Sequence, residues 1–237
     1  MPQSTSNNDD LDLPPSYPGS ETVRIWLVAG TLFFALLLLC WLAIALSTRD
    51  GLAGADLALM SWLHSVGDPR DPIGSPGFEG IMRDISALGS NTLLLLATLI
   101  GTTLLALLQR PGAATFLFFS ATGGLLANAL VKSLFARGRP DFISVTVTTD
   151  STSFPSSHAM LSAIVLLTIA AIAARERTNS AAIALLMGSA LTLVLLIGVS
   201  RVYLGVHWPS DVLTGWVLGC AWVLGALKLA EAPQPPE

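Results

Sequence analysis

From Ile25 to Leu46 the chain runs through 22 nearly uninterrupted apolar residues. The apolar core of a secretory signal has roughly 7–15 residues, whereas a helix that crosses a bilayer needs about 20. Five further apolar runs follow, Thr92–Leu108, Ala113–Val131, Pro155–Ala174, Ala181–Val199 and Val212–Leu229, each of 17–20 residues. At about 1.5 Å of rise per residue, each is long enough for one crossing. The pattern predicts an all-α integral membrane protein, a bundle of six transmembrane helices. The fourth run counts only if its helix starts near Pro155, where proline is tolerated in the first turn.

Composition agrees. Only 12% of the 237 residues are charged and 52% are apolar, against about 25% charged in a soluble domain. Acids outnumber Lys and Arg by 16 to 12, which excludes a basic nucleic-acid binder. Residues 1–23 are polar, acidic and rich in Pro, Ser and Asn, and read as a disordered tail. Residues 24–230 form one membrane domain, and 231–237 a short C-terminal tail.

The segment Ser47–Asn91 is longer than the other connections. Phe78, Ile81, Met82, Ile85 and Leu88 recur there at helical spacing, with Glu79, Arg83 and Asp84 on the other side. This is an amphipathic helix too charged to span. Asp56–Val66, with Trp62, reads as a second. Both are expected at the interface between spans one and two. His64 stands alone here and reads as a surface or interfacial residue without a catalytic role. Cys40 and Cys220 lie in apolar runs and read as packing residues. Gly215 and Gly219 form a G-x-x-x-G pattern that suits close packing within the bundle, with a homodimer face as the alternative.

Lysine and arginine counts set the expected orientation. With the N-terminus inside, the inner segments hold Arg24, Arg110, Arg175, Arg177 and Lys228, and the outer ones Arg49, Arg70 and Arg83. The bias favours cytoplasmic N- and C-termini.

Ionisable residues at the ends of membrane helices are costly and invite a functional reading. Here they fall in three clusters. Lys132 ends span three, with Arg139 and Pro140 following. Pro155, Ser156, Ser157 and His158 open span four. Ser200, Arg201, His207 and Asp211 occupy the connection between spans five and six. Parity puts all three on one membrane side, the outer side in the favoured orientation.

The chemistry they suit is phosphoryl transfer. Lys132, Arg139 and Arg201 bring three positive charges towards one anion, with arginine offering a fork for two phosphate oxygens. Ser156 and Ser157 sit at the start of a helix, where free N–H groups and the dipole favour an anion. His207 with Asp211 reads as a nucleophile and its orienting carboxylate, which leaves His158 as a proton donor. Basic residues at helix ends also snorkel or meet lipid headgroups, and any one cluster alone reads equally well that way. A metal site at His158 and His207 is a rival, but a metal would sit badly among three cations. The three clusters together point to a phosphate site that needs no metal or cofactor.

The three patterns, K-x6-R-P from Lys132 to Pro140, P-S-x-H from Pro155 to His158 and S-R-x5-H-x3-D from Ser200 to Asp211, resemble the signature motifs of the type 2 phosphatidic acid phosphatases. Vanadium haloperoxidases and glucose-6-phosphatase belong to the same superfamily. The resemblance covers roughly Ile25 to Leu229. It implies a six-helix, metal-independent phosphatase of a lipid phosphate or a polyprenyl diphosphate, working through a phosphohistidine. His207 would be the nucleophile, Asp211 its partner and His158 the acid and base. Lys132, Arg139, Ser156, Ser157 and Arg201 would bind phosphate. The family pattern has glycine where this chain has Ser157, and a positive φ there would strain a serine. A phosphotransferase with the same site, or a lipid-phosphate binding or transport protein without turnover, are the alternatives. Six spans disfavour a haloperoxidase.

Overall fold

The computed structural model describes residues 20–47, 51–135, 137–142, 152–175, 177 and 179–230, with backbone alone at 20, 40 and 43–47. Residues 1–19 of the expected N-terminal tail, the expected C-terminal tail over 231–237 and the side chain of Cys40 lie outside the described residues. Among them the chain forms eight helices: α1 (Ser20–Ser47), α2 (Gly51–Trp62), α3 (Pro76–Leu88), α4 (Asn91–Leu107), α5 (Pro111–Leu134), α6 (Ser157–Arg175), α7 (Ser180–Tyr203) and α8 (Pro209–Ala230).

Five of these, α1, α5, α6, α7 and α8, are long and apolar enough to cross a membrane. The remaining expected span, the second, is built differently. α4 is joined to the amphipathic α3 across a 46° bend, and only the pair together has the length and composition of a span. The break has a local cause: Ser90 caps α4 by accepting a hydrogen bond from the Leu93 N–H at 3.3 Å, and such a cap starts a new helix. α3 begins the same way on Ser75, followed by Pro76.

Three boundaries differ from expectation. α1 starts at Ser20, inside the stretch read as tail, because Glu21 and Thr22 extend the first turn ahead of the apolar run. α2 starts at Gly51 and stops at Trp62. α6 starts at Ser157, two residues past Pro155.

α6 is the central helix. It packs against α1, α4, α5, α7 and α8, and every residue from Ala159 to Val165 is buried. The small residues of α8 permit this. A Cβ at Gly215 would lie 2.9 Å from the Ser156 carbonyl oxygen, and one at Gly219 would lie 2.7 Å from that of Met160. The G-x-x-x-G stripe therefore serves α8–α6 packing inside the bundle. Cys220, on the same helix, is fully buried, as a packing residue should be.

Between α7 and α8 on one side and α1, α2 and α3 on the other lies an apolar cavity of about 760 Å³. Trp41, Phe78, Met82, Val202, Tyr203 and Trp216 are among its walls. Val202 and Tyr203 directly follow Arg201, so this cavity backs onto the segment that carries the third motif.

Candidate active site

The three motifs meet at one end of the bundle, where α5 ends and α6 and α8 begin. Short backbone bonds hold them together. The Ser156 N–H, ahead of α6, donates to the Asp211 carbonyl on α8 at 3.1 Å. The Ser153 N–H donates to the Arg137 carbonyl at 2.8 Å, and the Trp208 indole N–H to that of Gly138 at 2.9 Å. Gly205, at φ +70°, makes the turn between α7 and His207, and a Cβ there would lie 2.2 Å from the Phe142 carbonyl oxygen. Only glycine fits both demands.

His207 sits at the centre, 2% exposed. Its Nδ1 faces Asp211 Oδ2 at 3.6 Å and the Ser153 hydroxyl at 3.4 Å. Its Nε2 faces Arg139 Nη1 at 3.4 Å. Burial lowers the His207 pKa to about 4. Asp211 pulls it up, and the charges of Arg201 and Arg139 push it down further. The ring is thus neutral at neutral pH. A proton on Nδ1, towards the carboxylate, leaves the Nε2 lone pair on the cationic side.

Asp211 is fully buried, and each of its oxygens is held. Oδ2 accepts from the Ser153 hydroxyl and from the Trp208 N–H. Oδ1 accepts from Arg137 at 2.8 Å. Arg137 and Ser153 are additions to the expected site residues. Arg137 lies two positions before Arg139 in the first motif, and spacing alone does not separate their roles. Ser153 lies two positions ahead of the second motif, where nothing in the sequence distinguishes it.

The expected phosphate-binding cations are close by. Arg139 donates to the Val206 carbonyl at 2.8 Å, and Lys132 Nζ to that of Thr152 at 2.7 Å. Arg201 donates to Ser86 Oγ on α3 at 2.6 Å. The charges of Arg201, Arg139 and Lys132 all act on the His158 ring. His158 packs against the α3–α4 bend, where a Cβ at Gly89 would lie 3.3 Å from its Cδ2.

Among the described residues, the Ser156 hydroxyl and Arg201 Nε are buried with no hydrogen-bond partner. Leaving a buried polar group unpaired costs about 1–3 kcal/mol, and an anion in the site would satisfy such donors. Ser157 differs from what its motif position suggested. It is the first residue of α6, and Gln109 is the single non-glycine with positive φ among the described residues, so the serine is unstrained. Its hydroxyl donates to Asn128 Oδ1 at 2.8 Å rather than standing free. His64 also differs: it is buried, 3% exposed, with Nδ1 on the Met60 carbonyl at 2.7 Å and its ring 5.0 Å from Phe142. An apolar shelter under the α2–α3 connection takes it out of solvent.

Residues 113–234 match the family model of the PAP2 superfamily. The chain belongs to the PAP2 superfamily. Its relatives in that family are named phosphatases, and the chain is a phosphatase. Phosphatidylglycerophosphatase B of Bacillus subtilis (strain 168) is 34% identical over 152 residues, covering 62% of this chain and 72% of that protein. Decaprenylphosphoryl-5-phosphoribose phosphatase of Mycobacterium tuberculosis is 32% identical over 157 residues, covering 61% of this chain and 76% of that one. Among solved structures, the transmembrane PAP2-type phosphatidylglycerolphosphate phosphatase from Bacillus subtilis superposes with a TM-score of 0.69 at 30% identity, covering 86% of this chain and 96% of that one. With its apolar helices and this transmembrane neighbour, the PAP2 chain is an integral membrane protein.

Proposed function

We propose that this PAP2 phosphatase removes a terminal phosphate from a lipid-linked substrate, a phospholipid phosphate or a polyprenyl phosphate or diphosphate, without a metal ion. The observation that carries the reading is His207. It is buried and neutral, with Nδ1 towards Asp211 and Nε2 towards the cationic side of the site. Nε2 attacks phosphorus while Lys132, Arg139 and Arg201 offset the charge on the phosphoryl oxygens. The Ser156 hydroxyl and the N–H groups of the first turn of α6 add neutral donors. His158 protonates the departing lipid oxygen. It then takes a proton from the water that hydrolyses the phosphohistidine, and phosphate leaves.

The position of the site supports a lipid-linked substrate: its helices are membrane spans, and an apolar cavity large enough for part of a hydrocarbon chain backs onto the third motif. The two long relatives are named for phosphatidylglycerophosphate and decaprenylphosphoryl-phosphoribose. A match of 61% over 28 residues to an undecaprenyl-diphosphatase of Sulfolobus acidocaldarius adds a prenyl diphosphate to the candidates. The lysine and arginine bias supports cytoplasmic termini and a site on the extracytoplasmic face.

The test is phosphate release from a panel of lipid phosphates and diphosphates with excess chelator present. Release should persist in chelator and be inhibited by vanadate, which mimics five-coordinate phosphorus. Activity lost in chelator and restored by one metal contradicts the mechanism. A phosphorylated acceptor in place of free phosphate would make the protein a phosphotransferase.

A further inference from the structure

Outside the three motifs, helix α2 carries one ionisable residue, Asp56, and it is fully buried. A carboxylate out of water is expensive unless paired and hydrogen-bonded. Asp56 is both. Oδ1 accepts from the Trp41 indole N–H at 3.0 Å and from the Ser210 N–H at 3.1 Å. Oδ2 accepts from the Ser210 hydroxyl at 2.6 Å and from Arg137 Nη2 at 2.7 Å. The other arm of the same guanidinium, Nη1, donates to Asp211 Oδ1 at 2.8 Å and to Ser210 Oγ at 2.7 Å. One arginine is thus clamped between two buried carboxylates, and its Cζ lies 5.5 Å from the centroid of the Trp208 ring.

We infer that Asp56 is a positioning residue of this site: through Arg137 and Ser210 it fixes the plane of the Asp211 carboxylate so that Oδ2 faces His207. The inference rests on the roles proposed above for His207 and Asp211. Arg137 occupies Asp211 Oδ1, and with that oxygen held, Oδ2, which the Ser153 hydroxyl and the Trp208 N–H also hold, is the one turned towards the imidazole. Without Asp56, the planar fork of Arg137 loses one of its two carboxylate anchors, and its Nη2 arm is released. The carboxylate it holds then turns, and Nδ1 of His207 loses the oxygen it faces at 3.6 Å. Asp56 also satisfies the N–H of Ser210 in the first turn of α8, one residue from Asp211, so both the backbone and the side chain of the dyad are tied to α2. Such supporting groups act on chemistry more than on binding.

The experiment compares Asp56→Asn in two backgrounds, native and Asp211→Asn, by steady-state phosphate release from a lipid phosphate. In the native background kcat should fall about 10- to 100-fold, with KM and vanadate inhibition little changed. In the Asp211→Asn background the same substitution should cost less than about threefold, because residues that act as a unit are not additive. Equal losses in both backgrounds, or a loss that appears in KM, would overturn the inference. If Asp56→Asn does not fold, Ser210→Ala removes the bridging hydroxyl with little change of volume, and the same two-background comparison decides. Native protein that releases no phosphate contradicts the phosphatase reading and this inference with it. Native turnover with equal losses contradicts this inference alone.

Discussion

Two histidines share one site, and their surroundings divide the work. His207 has a buried carboxylate on Nδ1 and a guanidinium on Nε2. His158 opens α6 among the charges of Arg201, Arg139 and Lys132. An alkoxide leaving group needs a proton, and general-acid help contributes about 10²–10⁴-fold. An aryl phosphate leaves with far less help. His158→Ala should therefore lose most activity on a lipid phosphate and keep a larger fraction on an aryl phosphate. His207→Ala should lose both. Equal losses on both substrates in His158→Ala would remove it from the acid role. The motif residues are legible in the sequence because polar side chains at the ends of apolar runs stand out against their neighbours. Asp56 is not, since a lone acid in a short connecting helix looks like any solvated charge. Its burial comes from α8 and Arg137, far away in sequence. Arg137 is hidden for the opposite reason, among other basic residues with nothing to rank them.

At the scale of elements, apolar run length predicts α1, α5, α6, α7 and α8 well, because one crossing demands one length. It cannot predict that α3 and α4 form a bent pair, which depends on the Ser90 cap and on what the bend packs against. Gly89 is the point of closest approach: a Cβ there would lie 2.4 Å from Ile197 Cγ2 and 3.5 Å from His158 Cβ. Its φ of −92° is open to any residue, so the constraint is space and not conformation. Ile197 is β-branched and has little room to yield. Gly89→Ala should cost about 1–3 kcal/mol by overpacking, and should lower kcat on a lipid phosphate because the displaced wall is the one His158 rests on. Apparent Tm in detergent and kcat, measured together, check this. A more stable protein, the usual result of Gly→Ala at a compatible φ, would show that the bend tolerates the methyl.

For the whole molecule, the placement of all three motifs at one end of the bundle makes the site one-sided. The lysine and arginine bias favours the outside for that end. A cysteine in place of Thr148, in the connection between α5 and α6 and in a background lacking Cys40 and Cys220, should react with an impermeant thiol reagent on intact cells. Labelling only after permeabilisation would reverse the orientation while leaving the chemistry untouched. In the proposed mechanism this site works through His207 as a covalent phosphate carrier. Rapid mixing with a ³²P-labelled lipid phosphate, followed by an alkaline detergent quench that preserves phosphohistidine, tests that role. Native protein should carry label on the peptide containing His207, and His207→Ala should carry none. Label that persists in His207→Ala, or that maps to His158, would contradict the account.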